Sequence, residues 1–410
     1  MKMKKLFIFL TIFLSTVNTN GQTKPWLHVD GNMVKDTAGN IVTLRGVSII
    51  APEYATSNPY NPKTPAEYIS WLADSTRGWY SSILRIPVCG LNTTPAIAYN
   101  FIDPLVQQAI RLGLYVIIDF HNVTNYGNGG TSQATVLNFW KYFAPKYADS
   151  SNVLFEVYNE PVNPADWNQW KNFIQPVVNA IRTFAPKNII LMGSPQWSTY
   201  TNYAVSNLIS GDNIVYVFHI YPNQGAPIST LLDSKFGNAA NSIPVMITEF
   251  GWNQNAGYSD GITYGTTTNW GIPFRKYLDA HPTISWVNWV FDNYWMPSIF
   301  DQNWNLMGTE NQGEFIKSWL AEKNKLVTRV ATVRSNASLL SVYAIEGKIS
   351  VSMVGLIRVE IYSTTGKLLV SVNTKGNKIE LNSSLDKGIY IVRAYDEDGL
   401  AITERMLIKN

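Results

Sequence analysis

Eight short apolar runs recur along the first three quarters of the chain, and segments with helical periodicity separate them. Runs that are apolar throughout and rich in Val, Ile and Phe are typical of strands buried on both faces of a parallel sheet. The segments between them include PAEYISWLADSTRGWY, ADWNQWKNFIQPVVNAIRTFA and DPLVQQAIRLG, which ends on a helix-stopping glycine; they predict amphipathic helices. The predicted strands are residues 42–50, 81–88, 114–121, 153–160, 189–194, 213–221, 244–250 and 284–292.

Eight buried strands that alternate with helices over roughly 290 residues have the period of a (β/α)8 TIM barrel. A doubly wound open sheet is the structural alternative, and it usually carries a glycine-rich phosphate-binding turn after its first strand. The first predicted strand here continues into IIAPEYATSNPYNP, which contains no glycine. We therefore predict an α/β protein built on a barrel.

The end of the chain has a different construction. All 14 tryptophans lie between Trp26 and Trp319. Beyond them, runs such as LIRVEIYSTTGK and GIYIVRAYDEDG alternate apolar and polar residues and are broken by turn signals, which predicts a small antiparallel β-sandwich. The expected organisation is a signal peptide at 1–21, a catalytic barrel at 22–325, a linker at 326–338 and the β-sandwich at 339–410.

The N-terminus indicates export. Lys2, Lys4 and Lys5 precede the apolar run LFIFLTIFL, a pattern typical of a secretory signal peptide, with cleavage expected near Gly21 or Gln22. This run is too short to span a bilayer, and no later stretch approaches roughly 20 apolar residues, so we expect no membrane span. Without these three lysines, basic and acidic residues balance at 29 each. A neutral chain has no electrostatic attraction for nucleic acid or an anionic membrane.

Two glutamates close strand-like runs: Glu160 in VLFEVYNEP and Glu249 in PVMITEFGW. Catalytic residues of barrels gather at the C-terminal ends of the strands, so both carboxylates are expected to project into one cleft. A surface salt bridge is the alternative for a lone glutamate, but Glu249 lies in an apolar frame where an unpaired carboxylate is costly. One proton donor and one nucleophile are the minimum needed to cleave a glycosidic bond.

Other polar side chains end neighbouring strands: Arg85, His121, Asn159, His219 and Tyr221. Arg85 and the Tyr221 hydroxyl are suited to keep a carboxylate nucleophile ionised. The two histidines could ligate a metal, but the sequence has no HExxH or similar spacing, and hydrogen bonding is an equally available role. We predict no metal and no cofactor.

Tryptophans cluster where the seventh and eighth strands end. Trp252, Trp289 and Trp295, with Tyr294 nearby, lie at or just beyond these ends. Core packing is the usual fate of a tryptophan, yet exposed aromatic faces at this rim would stack on sugar rings. We predict substrate stacking for Trp289 and Trp295.

Taken in order, the motifs RIPV, DFH, YNEP, HIY, TEFGW and SWVNW make residues 26–324 resemble glycoside hydrolase family 5, the cellulase family. The resemblance implies a retaining mechanism, with Glu160 as acid/base and Glu249 as nucleophile. It further implies that Asn159 holds the sugar 2-hydroxyl, that Arg85 and Tyr221 support the nucleophile, and that His121, His219 and Trp289 line the subsite of the attacked sugar.

The tail from about residue 339 resembles the C-terminal sorting domain of the type IX secretion system. The segments VEIYSTTGK, LDKGIYIVRA and the final MLIKN carry this resemblance. It implies a secretion machinery as partner, passage across the outer membrane and removal of the tail. A carbohydrate-binding sandwich is the alternative, and the lack of tryptophan disfavours it.

We therefore expect a secreted, monomeric, retaining endo-β-glycosidase that hydrolyses β-1,4-linked polysaccharide. The segment VFDNYWMPSIFDQNWNLMGTENQGEF departs from the cellulase pattern, so β-mannan and other β-glucans stand beside cellulose-type β-1,4-glucan as candidate substrates. A non-catalytic glycan-binding protein is the alternative of another class. Its usual sign is the loss of one glutamate, and both are present.

Overall fold

The computed structural model describes residues 24–60, 62–89, 94–255, 261–324, 340–345, 348–382, 384–386, 388–396 and 401–408. The chain divides after Lys325 into two compact units. The predicted signal peptide, 1–21, and the predicted linker, 326–338, lie outside the described residues. Among the described helices, none has both the length and the apolar character needed to cross a membrane.

The first unit contains the predicted barrel, which is confirmed. Eight parallel strands form a closed sheet, and the last of them pairs with the first. An antiparallel hairpin of β1 (Leu27–Asp30) and β2 (Met33–Asp36) precedes it. In barrel order the strands are β3 (Arg45–Ser48), β4 (Ile83–Val88), β5 (Tyr115–Phe120), β7 (Val153–Glu156), β9 (Ile190–Met192), β10 (Ile214–Ile220), β11 (Val245–Phe250) and β12 (Ser285–Asn288).

Helices cover the outside of the barrel. The predicted amphipathic segments become α1, α2 and α4, and Gly113 ends the second of these at a φ of 76°. Thr64 and Glu67 form a capping box at the start of α1, while Asp166 accepts from two backbone amides at the start of α4. The helices are α1 (Pro65–Leu72), α2 (Pro95–Arg111), α3 (Gln133–Phe143), α4 (Trp167–Phe184), α5 (Pro195–Ser198), α6 (Thr201–Ala204), α7 (Ser229–Leu232), α8 (Asn238–Ala240), α9 (Ile272–Ala280) and α10 (Gln312–Asn324).

The barrel interior is apolar at one end and polar at the other. Leu27 and Val34 of the hairpin pack with interior residues such as Ile83, Leu154 and Val217. Because alternate residues of a strand face the same side, the residue two positions further along each strand also faces inward. On five strands that residue is polar and buried: Arg85, Asp119, Glu156, His219 and Thr248.

Two local features set the positions of the glutamates. The pairing of β10 with β11 shifts register after Phe218, so that His219 pairs with Glu249; such irregularities re-aim side chains near active sites. A short parallel sheet of β6 (Val123–Thr124) and β8 (Glu160–Pro161) pairs Val123 with Glu160. The Glu160 backbone is thereby fixed to the segment that follows β5.

The second unit is an antiparallel β unit with a sandwich-like core, which confirms the predicted fold class. Its strand order is β13-β14-β16-β17, and β15 pairs with β14. Ile349, Val359, Val392 and Met406 are among the residues of its separate apolar core. The strands are β13 (Ser341–Ile345), β14 (Lys348–Ser363), β15 (Leu368–Asn382), β16 (Gly388–Asp396) and β17 (Ala401–Ile408).

Candidate active site

A cleft of about 700 Å³ lies at the C-terminal ends of the barrel strands. Seven of the nine residues predicted from the sequence line it, whereas Arg85 lies buried beneath it and Trp295 lies outside its lining. The seven are His121, Asn159, Glu160, His219, Tyr221, Glu249 and Trp289. The cleft lining also includes residues that the sequence analysis did not identify: Val123, Gln196, Trp197, Thr199, Asn223, Gln224, Lys235 and Ile262.

The two glutamates face one another across a short distance. A carboxylate oxygen of Glu160, one of Glu249 and a nitrogen of His219 all lie within 4.8 Å of each other. The side chains of Glu160 and Glu249 are 12% and 7% exposed. Both carboxylates can therefore reach a ligand in the cleft, while the protein surrounds them on their other sides.

Arg85 holds the nucleophile candidate in place. Its side chain is fully buried, and its Nη1 donates to Glu249 Oε1 at 2.8 Å. Its Nε donates to Glu156 Oε2 at 2.6 Å, and its Nη2 lies 2.9 Å from Asp119 Oδ2. Nη2 also donates to Asn159 Oδ1 at 2.6 Å. Since Arg85 occupies this oxygen, Asn159 presents its Nδ2 donor to the cleft.

His219 links the two glutamates to a buried network. Its Nδ1 lies 2.8 Å from Glu160 Oε1 and 3.7 Å from Glu249 Oε2. Its Nε2 lies 2.9 Å from Thr248 Oγ1, which donates to Glu156 Oε1 at 2.6 Å. Since the threonine proton is used on Glu156, the Nε2 of His219 must carry a hydrogen and donate to Thr248.

The charges in this network determine which groups are ionised. Burial lowers the pKa of His219, but Glu249, Glu156 and Glu160 outweigh it and raise that pKa to about 10. Burial likewise raises the pKa of Glu249, but the charges on His219 and Arg85 outweigh it, so that this pKa falls below its ordinary value. Glu249 is thus held as a carboxylate, as a nucleophile must be.

Tyr221 supports the same carboxylate from the other side. Its hydroxyl donates to Glu249 Oε2 at 2.9 Å. Burial and the nearby carboxylate of Glu249 raise the pKa of Tyr221 well above its ordinary value of 10. The phenol therefore stays protonated and remains a donor over the whole neutral range.

Glu160, His219 and Glu249 each bring an atom of a kind that can ligate a metal to within 4.8 Å of the others. These atoms are already engaged by protein groups: His219 Nδ1 lies 2.8 Å from Glu160 Oε1, and Arg85 and Tyr221 donate to the two oxygens of Glu249. The cluster is therefore held together by hydrogen bonds between its own members and with the buried Arg85.

His121 and Trp289 form a second wall of the cleft. Their rings stack with centroids 5.6 Å apart and planes inclined by 7°. The His121 Nδ1 lies 2.7 Å from Asp119 Oδ2, which Arg85 also contacts. Trp289, the predicted stacking residue, is thus positioned through the same buried charges that contact Glu249.

The other two tryptophans near the ends of the seventh and eighth strands, Trp252 and the predicted Trp295, lie outside the cleft lining. Trp252 is fully buried and its Nε1 donates to Thr267, so it packs in the core and offers no stacking face. Trp295 is half-buried and belongs to a series of aromatic contacts: its ring centroid lies 6.2 Å from that of Tyr54 and 5.4 Å from that of Tyr294. Tyr294 in turn lies 5.6 Å from Tyr60. A role for Trp295 in substrate binding stays a prediction.

A left-handed turn places Trp197 at the cleft. Gln196, Trp197 and Ser198, in α5, have φ values of 55°, 58° and 56°. Three consecutive non-glycine residues in this region are strained. Ser198 Oγ donates to the backbone oxygen of Asn159 at 2.6 Å, and the indole of Trp197 is 47% exposed. The turn is therefore tied to the segment that carries Glu160.

Some of the unidentified residues had a signal in the sequence. Asp119 and Glu156 are charged residues inside otherwise apolar strands, and a buried charge needs a partner. The strand alternation places both on the same inward face as Arg85. Trp197 and Lys235 had no comparable signal, because their positions depend on the paths of the segments after β9 and β10.

A family model described as Cellulase (glycosyl hydrolase family 5) matches residues 36–294. The chain belongs to glycosyl hydrolase family 5. Membership of this family explains the ordered motifs, and the resemblance predicted from the sequence is confirmed. A second model, for a secretion-system C-terminal sorting domain, matches residues 344–409, and it indicates export across the outer membrane.

Relatives of this family 5 chain are named as cellulases and endoglucanases. Cellulase CelDZ1 of Thermoanaerobacterium sp is 26% identical, over 65% of this chain and 70% of its own length. An endoglucanase of Clostridium saccharobutylicum is 28% identical, over 67% of this chain and 58% of its own. Several further curated relatives are matched over only half to three fifths of their length. A crystal structure of a beta-glucanase from Saccharophagus degradans has a TM-score of 0.65 at 26% identity, covering 74% of this chain and 94% of that one.

Proposed function

We propose that the family 5 unit is a retaining endo-β-1,4-glucanase in which Glu160 is the acid/base and Glu249 the nucleophile. The observation that carries the proposal is the separation of the two acids. A carboxylate oxygen of Glu160 lies within 4.8 Å of a carboxylate oxygen of Glu249. Retaining glycosidases hold their carboxyl groups about 5 to 5.5 Å apart, and inverting enzymes need about 6.5 to 9.5 Å for a water molecule. The spacing therefore favours direct attack by Glu249.

The first step forms a covalent intermediate. The Glu249 carboxylate attacks the anomeric carbon while Glu160 gives its proton to the departing glycosidic oxygen, so that the bond to the leaving sugar breaks. Glu160 Oε1 contacts His219, which leaves Oε2 to carry that proton. Arg85 and Tyr221 each contact one oxygen of Glu249, and they fix its direction of attack.

The second step reverses these roles. Glu160, now ionised, removes a proton from a water molecule, and the resulting hydroxide displaces Glu249 from the anomeric carbon. The contact between His219 Nδ1 and Glu160 Oε1, at 2.8 Å, keeps the carboxyl group of Glu160 in place between the two steps. Asn159 presents Nδ2 towards the sugar 2-hydroxyl, and Trp289 with His121 supports the sugar under attack.

The choice of β-1,4-glucan as substrate is supported by the relatives. Those matched are named cellulases and endoglucanases, and the beta-glucanase of Saccharophagus degradans has been solved in complex with cellotetraose. Trp295 and its neighbours Tyr54, Tyr294 and Tyr60 extend an aromatic surface from the loop after β12. We assign this surface to the more distant sugars of a bound chain.

The signal peptide at 1–21 supplies the export that precedes sorting by the tail.

The test compares cleavage of carboxymethylcellulose, lichenan, glucomannan and mannan by the wild type and by Glu160→Gln and Glu249→Gln variants. Each variant should lose about 1000-fold or more of kcat, since the two residues act as a unit. Glu322→Gln, on α10 and half exposed, is the matched control and should keep full activity. Proton NMR of a cellotetraose digest should show the β-anomer first. An initial α-anomer, or full activity in either glutamate variant, would contradict the proposal.

A further inference from the structure

Lys235 lines the cleft, yet hydrolysis of a neutral glucan requires no cation at its position. It lies in the π-helical turn Asp233–Gly237, between β10 and β11. The cleft residues around this part of the barrel, from the segments after β9 and β10, are Gln196, Trp197, Thr199, Asn223 and Gln224. All of them are neutral.

The ammonium group of Lys235 has no acidic partner in the part of the chain that the structure describes. The only carboxylates among the cleft-lining residues are Glu160 and Glu249, and these are engaged by His219, Arg85 and Tyr221. Burial lowers the pKa of Lys235, and no carboxylate acts to raise it. Among the described residues, this partly desolvated cation thus lines the cleft without a carboxylate partner.

The topology indicates which side of the scissile bond Lys235 occupies. In the closed barrel, β9 and β10 lie across from β3 and β4. Trp289 and His121, which hold the attacked sugar in the proposed function, follow β12 and β5, the strands that flank β3 and β4. Lys235 and Trp197 therefore lie on the opposite side, where the leaving sugar is bound.

We propose that Lys235 binds a carboxylate carried by the substrate on the leaving-group side of the scissile bond. A sugar hydroxyl can also accept from an ammonium group, but a partly buried cation without a counter-ion gains more from an anionic acceptor. The substrate class that fits is a β-glucan that carries uronic acid residues or carboxylated substituents. This inference rests on the proposed function, because it assumes that the glucan is bound in the same cleft and in the same orientation.

The experiment compares two forms of one polymer: neutral lichenan, and lichenan in which part of the C6 hydroxymethyl groups has been oxidised to carboxylates. The readout is the ratio of kcat/KM on the oxidised polymer to kcat/KM on the neutral one. Lys235→Met should lower this ratio by roughly tenfold or more, the usual effect of losing one hydrogen bond to a charged group. Lys235→Arg should restore most of it, and Lys141→Met, on the exposed face of α3, should leave the ratio at the wild-type value.

Two further readouts separate this role from a structural one. In the wild type, the ratio should fall as NaCl is raised, because salt screens the contact, and Lys235→Met should remove that dependence. Mass spectrometry of the products should show uronate near new non-reducing ends in the wild type and less of it there in Lys235→Met.

The outcomes are distinguishable. An equal loss on both polymers would assign Lys235 to a hydroxyl contact and overturn the inference, as would an unchanged ratio. If the wild type cleaved neither polymer, the proposed function would fail instead. Affinity electrophoresis on the two polymers would then test the carboxylate contact of Lys235 by itself. If the oxidised polymer retained the wild type more strongly than Lys235→Met, the contact would be supported. Equal retention of the two proteins would overturn it.

Discussion

Arg85 donates to the side chains of Glu156, Glu249 and Asn159 and also lies against Asp119. A planar guanidinium with five donors can hold several acceptors in fixed directions, which an ammonium cannot. The pKa values of two neighbouring carboxyl groups, those of Asp119 and Glu156, shift in opposite directions. Burial raises the pKa of Asp119 to about 6 in spite of Arg85, whereas Arg85 and His219 outweigh burial at Glu156 and lower its pKa to about 2. One buried cation thus fixes both Glu249, the proposed nucleophile, and the carboxylates behind it.

Removal of the Tyr221 hydroxyl should change the pH dependence of hydrolysis. The phenol donates to Glu249 and favours its ionised form, so Tyr221→Phe should raise the pKa of Glu249. Because the nucleophile is active as a carboxylate, the acidic limb of the kcat/KM profile should then move to higher pH, and kcat should fall by about 10-fold to 100-fold. Tyr203→Phe, on an exposed side chain, is the control. An unshifted acidic limb would show that Tyr221 does not support Glu249.

At the residue scale, the sequence predicted the side chains that line the cleft better than the buried side chains that support them. Glu160 and Glu249 could be found because each closes an apolar run, whereas Arg85, predicted at a strand end, lies within β4 and beneath the cleft. Thr248 could not, because a buried threonine in a strand is ordinary, and only the approach of His219 and Glu156 gives it a role. Trp252 has the same sequence context as Trp289, but it turns into the core beside Trp270.

Among the elements, the four residues of α5 combine strain with function. The backbone of Trp197 favours glycine, since its φ of 58° lies in the left-handed region. Gly193, two residues before this turn, is constrained as well, because a Cβ there would lie 2.4 Å from the backbone oxygen of Tyr158 and 2.9 Å from Ser198 Oγ. Strain of this kind is held by the contacts around it.

Trp197→Gly should therefore stabilise the protein and weaken its activity. Relief of the left-handed backbone should raise the free energy of unfolding by about 1 kcal/mol. Loss of the exposed indole should lower kcat/KM on long β-glucans by about 10-fold, through the loss of a stacking surface. Urea denaturation and initial rates measure the two effects.

Trp197→Ala separates these causes, because alanine lacks the indole but keeps the strain. It should lose as much activity as Trp197→Gly without the gain in stability. Equal stabilities of the two variants would contradict the account of strain given for α5.

The sequence predicted the existence of the barrel strands better than the residues at which they begin and end. Each of the eight predicted strands contains one barrel strand, because fully buried strands are apolar throughout. The short sheet of β6 and β8 was not predicted, since two-residue strands have no periodicity to detect. The left-handed turn α5 was not predicted either, because PQWS contains no glycine to indicate positive φ.

For the whole molecule, the two units have separate apolar cores, and the sequence predicts separate tasks for them. A chain that ends at Lys325 should retain wild-type kcat/KM on β-glucan in vitro, because the described cleft residues all precede that position. In the native host it should accumulate in the periplasm, since the sorting domain is lost. Cell fractionation with activity assays measures both. Secretion equal to that of the full chain would contradict a sorting role for residues 344–409.

The closure of the barrel between β12 and β3 has a consequence for the order of folding. The backbone amide of Leu44 donates to Ser285 Oγ, which lies 241 positions further along the chain, and β12 pairs with β3 along its length. Contacts this distant in sequence form slowly and only after both segments are available. A chain that emerges with its N-terminus first therefore cannot complete the barrel until its eighth strand, Ser285–Asn288, has followed.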